Sequence, residues 1–189
     1  MSARRRPLSS FSILAIFAML FSGLSLAPAS AQGPDGTERR VNPQTGKVSF
    51  LGGANGTVLS ADKALGTVRP QDPAMALARR FGPEFGLKDP ERELSQFKNS
   101  RAEDGRITTR YQQKYQGIPV MGGELIVNTN ESGDLYSMNG EVSPDLVLST
   151  QPTVTAEQAR QTALRALAKW YQKSSRDFTA TEPALWIYD

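Results

Sequence analysis

The sequence predicts an α+β protein, with one helix ahead of an antiparallel sheet and a second helix after it. Three observations carry that prediction. Asp72-Pro73 opens a run in which Ala74, Leu77, Ala78 and Phe81 fall at helical spacing; Asp is favoured at an N-cap and Pro at the first helical position. Ile107, Thr109, Tyr111, Gln113 and Tyr115 alternate with Thr108, Arg110, Gln112 and Lys114, which is the period of a half-buried strand. Thr155 and Gln158 have capping-box spacing ahead of Ala159, Ala163, Leu164, Leu167, Trp170 and Tyr171, the stripe expected to be buried on that helix.

From the N-terminus, Arg4, Arg5 and Arg6 precede an apolar run from Phe11 to Leu26 and then Ala29-Ser30-Ala31. That order is a positive n-region, an apolar h-region and a small-x-small cleavage site. We expect a cut after Ala31, export, and no stable membrane anchor, because the run is short of the ~20 residues a spanning helix needs and is broken by Ser22, Gly23 and Ser25. Residues 32–66 are rich in Gly, Asn, Thr and Ser, with one β-like patch at Lys47–Leu51, and read as an extended leader with a possible edge strand.

The first helix is expected to stop at Gly82-Pro83, with Phe85 and Leu87 packing back on it. Asp89 to Leu94 forms another turn. A strand begins near Arg106, and Gly117-Ile118-Pro119 bends the chain. Gly122-Gly123 suits a bulge. Glu124–Asn128 is the next strand, Asn130–Gly133 a turn, and Leu135–Gly140 the antiparallel return. Leu146–Leu148 is a short apolar segment and Gln151–Val154 a linker. After the second helix, Ala184–Tyr188 reads as the start of a strand.

Composition narrows the chemistry. The chain has 22 Lys+Arg against 19 Asp+Glu, and three of those arginines lie in the cleaved segment, so the remainder is balanced. Nothing in its charge calls for nucleic acid or an anionic membrane as partner. There is no Cys and no His. That excludes Ser-His-Asp and Cys-His nucleophile systems, an H-E-x-x-H zinc site and disulfide staples. Carboxylate pairs remain, but Glu103-Asp104 beside Gly105 sits in a loop with nothing apolar nearby to raise a pKa. No catalytic residue, metal ligand or cofactor is expected.

The stretch Tyr111-Gln112-Gln113-Lys114-Tyr115-Gln116-Gly117-Ile118-Pro119-Val120-Met121-Gly122-Gly123 resembles the core signature of the fungalysin/thermolysin propeptide (FTP) family. Arg110, Gln112, Gln113, Tyr115, Gly117, Ile118, Pro119, Val120 and Gly122 occupy its positions. Glu124–Val127, Gly133–Leu135 and Met138–Gly140 continue the likeness, which runs from about Ala74 to Val142. Thr155–Tyr171 and the strand after it resemble the opening of a PepSY domain. The resemblance implies a helix packed on an FTP-type antiparallel sheet, followed by an incomplete helix-plus-strand PepSY-like unit.

It also implies an organisation: signal peptide over 1–31, leader over 32–70, FTP-like domain over 71–148, and the N-terminal part of a PepSY-like domain over 149–189. Its functional implication is an intramolecular chaperone and inhibitor of a secreted thermolysin-like zinc metalloprotease, whose catalytic domain is not in this sequence and is met in cis or in trans. The family's proteases carry H-E-x-x-H, and a chain without His inherits only the propeptide role. The alternative is a stand-alone exported FTP-type protein that binds or inhibits a protease in trans. Arg110 to Gly122 supplies the candidate partner contacts. For Gln112 and Gln113 the simpler reading is of strand amides facing solvent and satisfying edge hydrogen bonds. Tyr111 and Tyr115 read as core, and Gly117, Pro119 and Gly122 as backbone requirements of a bend.

Overall fold

The computed structural model describes residues 30–33, 36–66 and 70–189. It is a mixed α+β fold built on one seven-stranded sheet, ordered β1-β2-β3-β7-β6-β5-β4, with every neighbouring pair antiparallel. In chain order the strands are β1 (Ser30–Gln32), β2 (Thr37–Val41), β3 (Val48–Gly53), β4 (Leu94–Arg101), β5 (Ile107–Tyr115), β6 (Ile118–Thr129) and β7 (Leu135–Glu141). The helices are α1 (Ala61–Leu65), α2 (Pro73–Phe85), α3 (Pro90–Glu93) and α4 (Ala156–Tyr171). Most of the expected signal peptide, Ala29 included, lies outside the described residues, while Ala31 sits in β1 opposite Arg39.

The core lies between α2 and one face of the sheet. Asp72 caps α2 by accepting a hydrogen bond from the Met75 N–H at 2.9 Å. The face of α2 that carries Leu77, Ala78, Phe81 and Phe85 then meets Leu51, Tyr111, Leu125, Val127, Leu135 and Met138 from four strands. Strand alternation sends Thr109, Tyr111 and Gln113 of β5 to this side, while Arg110 and Gln112 turn to the other. Burying a Leu or Phe side chain contributes roughly 1.5–3 kcal/mol, so this one layer dominates the stability of the sheet.

Four expectations are corrected. Helix α2 does not stop at Gly82-Pro83; it runs to Phe85 and ends at Gly86, whose N–H bonds the carbonyls of Gly82 and Pro83. Pro83 lies in the last turn, where its missing N–H forfeits one i→i−4 bond, and Gly82 serves close packing, since a Cβ there would lie 3.0 Å from Pro90 and 3.1 Å from Leu87. The leader is not merely extended: β3 sits inside the sheet between β2 and β7, and Leu51, Leu59, Ala61 and Ala64 are buried. Arg39 ties that segment to α2 through Glu84, with Nε···Oε2 at 2.6 Å and Nη2···Oε1 at 3.1 Å.

The third correction is β4 (Leu94–Arg101), since the first strand of this region was expected only near Arg106; the short apolar segment Leu146–Leu148 lies outside the strands, and Val147 is exposed. The fourth concerns α4. Its capping box is present, Thr155 Oγ1 accepting from the Gln158 N–H at 3.2 Å and Gln158 Oε1 from the Thr155 N–H at 3.0 Å. Its stripe is not buried, however: Leu164 is covered, whereas Leu167, Trp170 and Tyr171 stand in solvent. Nothing among the described residues supplies a sheet for that face to pack on.

Candidate functional site

The signature residues gather at the tip of the β5–β6 hairpin. Gln116 and Gly117 both have positive φ, +50° and +85°, and the last register pair is Tyr115 with Ile118. This is a two-residue loop of the primed type that matches strand twist. The chain therefore reverses at Gln116-Gly117, one step earlier than the expected bend at Gly117-Ile118-Pro119, and Ile118 and Pro119 already belong to β6. Pro119 sits at the rim: its carbonyl points away from β5 and accepts from the Ile187 N–H at 2.9 Å. The missing Pro N–H faces the same way, so it costs the β5–β6 ladder nothing.

A wide bulge follows. Gln112 pairs with Glu124 and Lys114 with Pro119, so Gln113 alone stands opposite the four residues Val120–Gly123. Gly122 makes the excursion possible with φ of +77°. Gly123 must lack a side chain because a Cβ would lie 2.6 Å from Gln113 Oε1 and 2.9 Å from its Cβ. A bulge frees backbone groups from the ladder. Gln112 satisfies two of them: its Nε2 donates to the carbonyls of Val120 at 2.6 Å and Gly123 at 2.7 Å.

Gln113 does not face solvent as a strand amide was expected to; it is 1% exposed. Its Nε2 donates to the Ser143 carbonyl at 2.9 Å and its Oε1 accepts from the Ser143 N–H at 2.8 Å. One amide thus latches the chain leaving β7 to the centre of the bulge. Ser143 lies between two clefts. One, of about 430 Å³, is lined by Lys88, Arg92, Tyr115 and Asp145; the other, of about 250 Å³, by Met121, Gly122 and Pro144. Tyr115 is partly exposed in the first cleft, while Tyr111 is fully core, as expected.

Charges frame this hairpin. Arg110 pairs with Glu124, Nη2···Oε2 being 2.8 Å and Nε also bonded to Oε1, and its guanidinium lies 5.6 Å from the Phe97 ring centre. The hydrogen bond to Glu124 raises Arg110 above its ordinary value, and that same bond holds the Glu124 carboxyl below the usual range against an opposing desolvation. Lys88 and Asp145 form a fully exposed pair at 3.0 Å, whose hydrogen bond raises the amine and lowers the acid. Burial, reinforced by Asp72, pushes the Tyr111 phenol up, and its hydroxyl has no hydrogen-bond partner among the described residues.

Chemically, the arrangement holds backbone in place rather than activating a group. Among the described residues no cluster of three or more acids could hold a metal ion, and no helix is long and apolar enough to cross a membrane. Glu103-Asp104 is an exposed hairpin turn in which Asp104 Oδ1 accepts from the Arg106 N–H at 3.0 Å. Sequence reasoning brought Gln112, Gln113, Val120 and Gly122 to one place, and it missed Ser143 and Ile187. Neither carries a pattern of its own; each is fixed by a long-range backbone contact.

Residues 98–142, from the second half of β4 to the end of β7, match the family model described as Fungalysin/Thermolysin Propeptide Motif. The chain is similar to the transglutaminase-activating metalloprotease of Streptomyces mobaraensis, 25% identical over 187 residues, which is 97% of this chain and 23% of that protein. It is also similar to thermolysins of Alicyclobacillus acidocaldarius subsp. acidocaldarius and Bacillus caldolyticus, each 34% identical over 67 residues, 34% of this chain and 12% of theirs. The chain therefore spans about a quarter of the length of the first relative and far less of the thermolysins.

Proposed function

We propose that this chain is the pro-region of a secreted thermolysin-like zinc metalloprotease, acting as chaperone and inhibitor of a catalytic domain that supplies all the chemistry. The observation that carries the reading is the propeptide-motif match over residues 98–142, which falls on the four strands that hold the latched hairpin. In this reading residues 1–31 are a signal peptide cut after Ala31, 71–148 form the FTP-type unit of helix on sheet, and 149–189 begin a PepSY-like unit. Its residues bind and cover; none reacts. A standard interface needs ~1,600 Å² in total. The outer side of the 117–123 hairpin tip and the free edge of β4 supply candidate surface, the edge by strand addition.

The test uses the chain from Gln32 onward and a thermolysin-like catalytic domain unfolded in guanidinium. On dilution, the chain should raise the recovered peptidase activity well above that of the domain alone. Added to the folded protease, it should lower activity with a stoichiometric end point. A chain that does neither is not a pro-region of this kind.

A further inference from the structure

Beyond β7's last pairing, Glu141 with Glu124, no strand among the described residues lies along the outward edge of β6. The chain's own C-terminal segment occupies it. Ile187 bridges Val120 in parallel: its N–H donates to the Pro119 carbonyl at 2.9 Å, and its carbonyl accepts from the Met121 N–H at 2.8 Å. Val120 is 0% and Ile187 5% exposed, while Trp186 and Tyr188 on either side point to solvent. The pairing cannot grow. Pro119 has no N–H to offer toward residue 185, and Gly122, with φ of +77°, turns the edge away.

This contact matters because, among the described residues, its two backbone hydrogen bonds are the ones that join residues 149–189 to the sheet. Helix α4 packs mainly on the turn Ser175–Asp177 rather than on any strand. A side-chain bond from Thr150 to Gln116 at 3.0 Å is exposed. We propose that the Pro119–Met121 edge is a one-residue strand slot whose occupant is the chain's own Ile187, and that this clip is a separable tie fastening the α4 region to the sheet. The bulge is what presents the slot: Gln112 holds the Val120 and Gly123 carbonyls on the inner side, leaving Pro119 and Met121 to face outward. The inference concerns this chain alone and stands whether or not it inhibits a protease.

The test is amide hydrogen exchange on the chain carrying Ile187→Pro, which removes the donor to Pro119. The Met121 amide should exchange at least about tenfold faster, since one broken backbone pairing is local opening. The amides of Leu59 and Leu135, which bond each other's carbonyls at 2.9 and 2.8 Å inside the fold, should keep their protection. Two results overturn the proposal: unchanged Met121 exchange, or loss of protection at Leu59 and Leu135 in step with Met121.

Discussion

Replacing Gln113 with Leu isolates the latch at the hairpin bulge. The side chain is 1% exposed and makes two bonds to one backbone unit, 2.9 Å to the Ser143 carbonyl and 2.8 Å from its N–H. Leu has similar volume and leaves the core filled, so the loss is polar. Each bond contributes about 0.5–1.5 kcal/mol net, and a group left buried and unpaired costs about 1–3 kcal/mol. Ser143 borders two open clefts, so its freed groups reach water and the loss stays near the sum of the two bonds, about 2 kcal/mol. For a domain of this size that is a drop of roughly 4–8 °C in Tm. Thermal melts by circular dichroism read it, and urea titration should show a lower midpoint at unchanged slope. Gln113→Glu sharpens the test. Its carboxylate cannot donate to the Ser143 carbonyl and is buried, which lifts its folded pKa above the unfolded ~4.3. Its deficit against wild type is therefore full above the folded pKa and shrinks as pH falls through it. A Gln113→Leu chain melting within a degree of wild type would refute the latch.

Further perturbations separate the roles of the glycines and charges. Gly140→Ala should be among the most damaging single changes, because its Cβ would lie 2.0 Å from the Glu124 carbonyl oxygen; its soluble yield or Tm should fall far below that of Gly117→Ala, where nothing lies within 4 Å. Gly117→Val meets only the strain of a β-branched residue at positive φ, about 1–3 kcal/mol, so it should melt early yet still fold. Glu124→Gln removes a carboxylate whose folded pKa is depressed by Arg110. The wild-type advantage is thus present above the unfolded pKa of ~4.3 and disappears as pH falls through the folded value, which paired melts at pH 7 and in acid will show. The chain's two tryptophans are 83% and 45% exposed, so emission should be red-shifted and readily quenched by iodide; a blue, protected spectrum would mean that the α4 face is covered.

What was legible in the sequence follows physical range. The cap of α2, the alternation of β5 and the capping box of α4 are decided within four residues, and each formed where local chemistry placed it. The β6 bulge was half legible: Gly122-Gly123 marked it, but the partner that fills it, Ser143, lies 30 residues from Gln113. Gln113 was misread because a polar residue on a strand is normally solvated, and only the arrival of Ser143 makes burying its amide affordable. Strand β2, Thr-Glu-Arg-Arg-Val, was missed because its charged centre shows no apolar alternation; β3 was read only as a possible edge strand over Lys47–Leu51, and its place inside the sheet is set by β7 from far down the chain. The α4 stripe failed in the opposite sense: its periodicity states what the helix can bury, not that a surface is there to receive it.

The signature therefore divides by direction. Gln113, Val120 and Gly123 point inward and fix the bulge; Gln112 commits both hydrogens of its amide to carbonyls on the same hairpin. A group already bonded to its own backbone has little left for a partner, since exchanging those bonds would leave the bulge carbonyls unpaired. The residues that keep free surface are Tyr115, Ile118 and exposed Met121, with Arg110 bound to Glu124 at one side. Substitutions should split along that line if the hairpin meets a protease. Changes at Gln112 and Gln113 should lower Tm and binding together, whereas Met121→Asp or Ile118→Asp should weaken inhibition with Tm nearly unchanged. The Ile118 and Met121 variants must be scored against the Ile187 clip as well, because both flank the edge it occupies. Loss of inhibition with intact Met121 amide protection would assign the effect to the partner surface; loss of both would assign it to the clip.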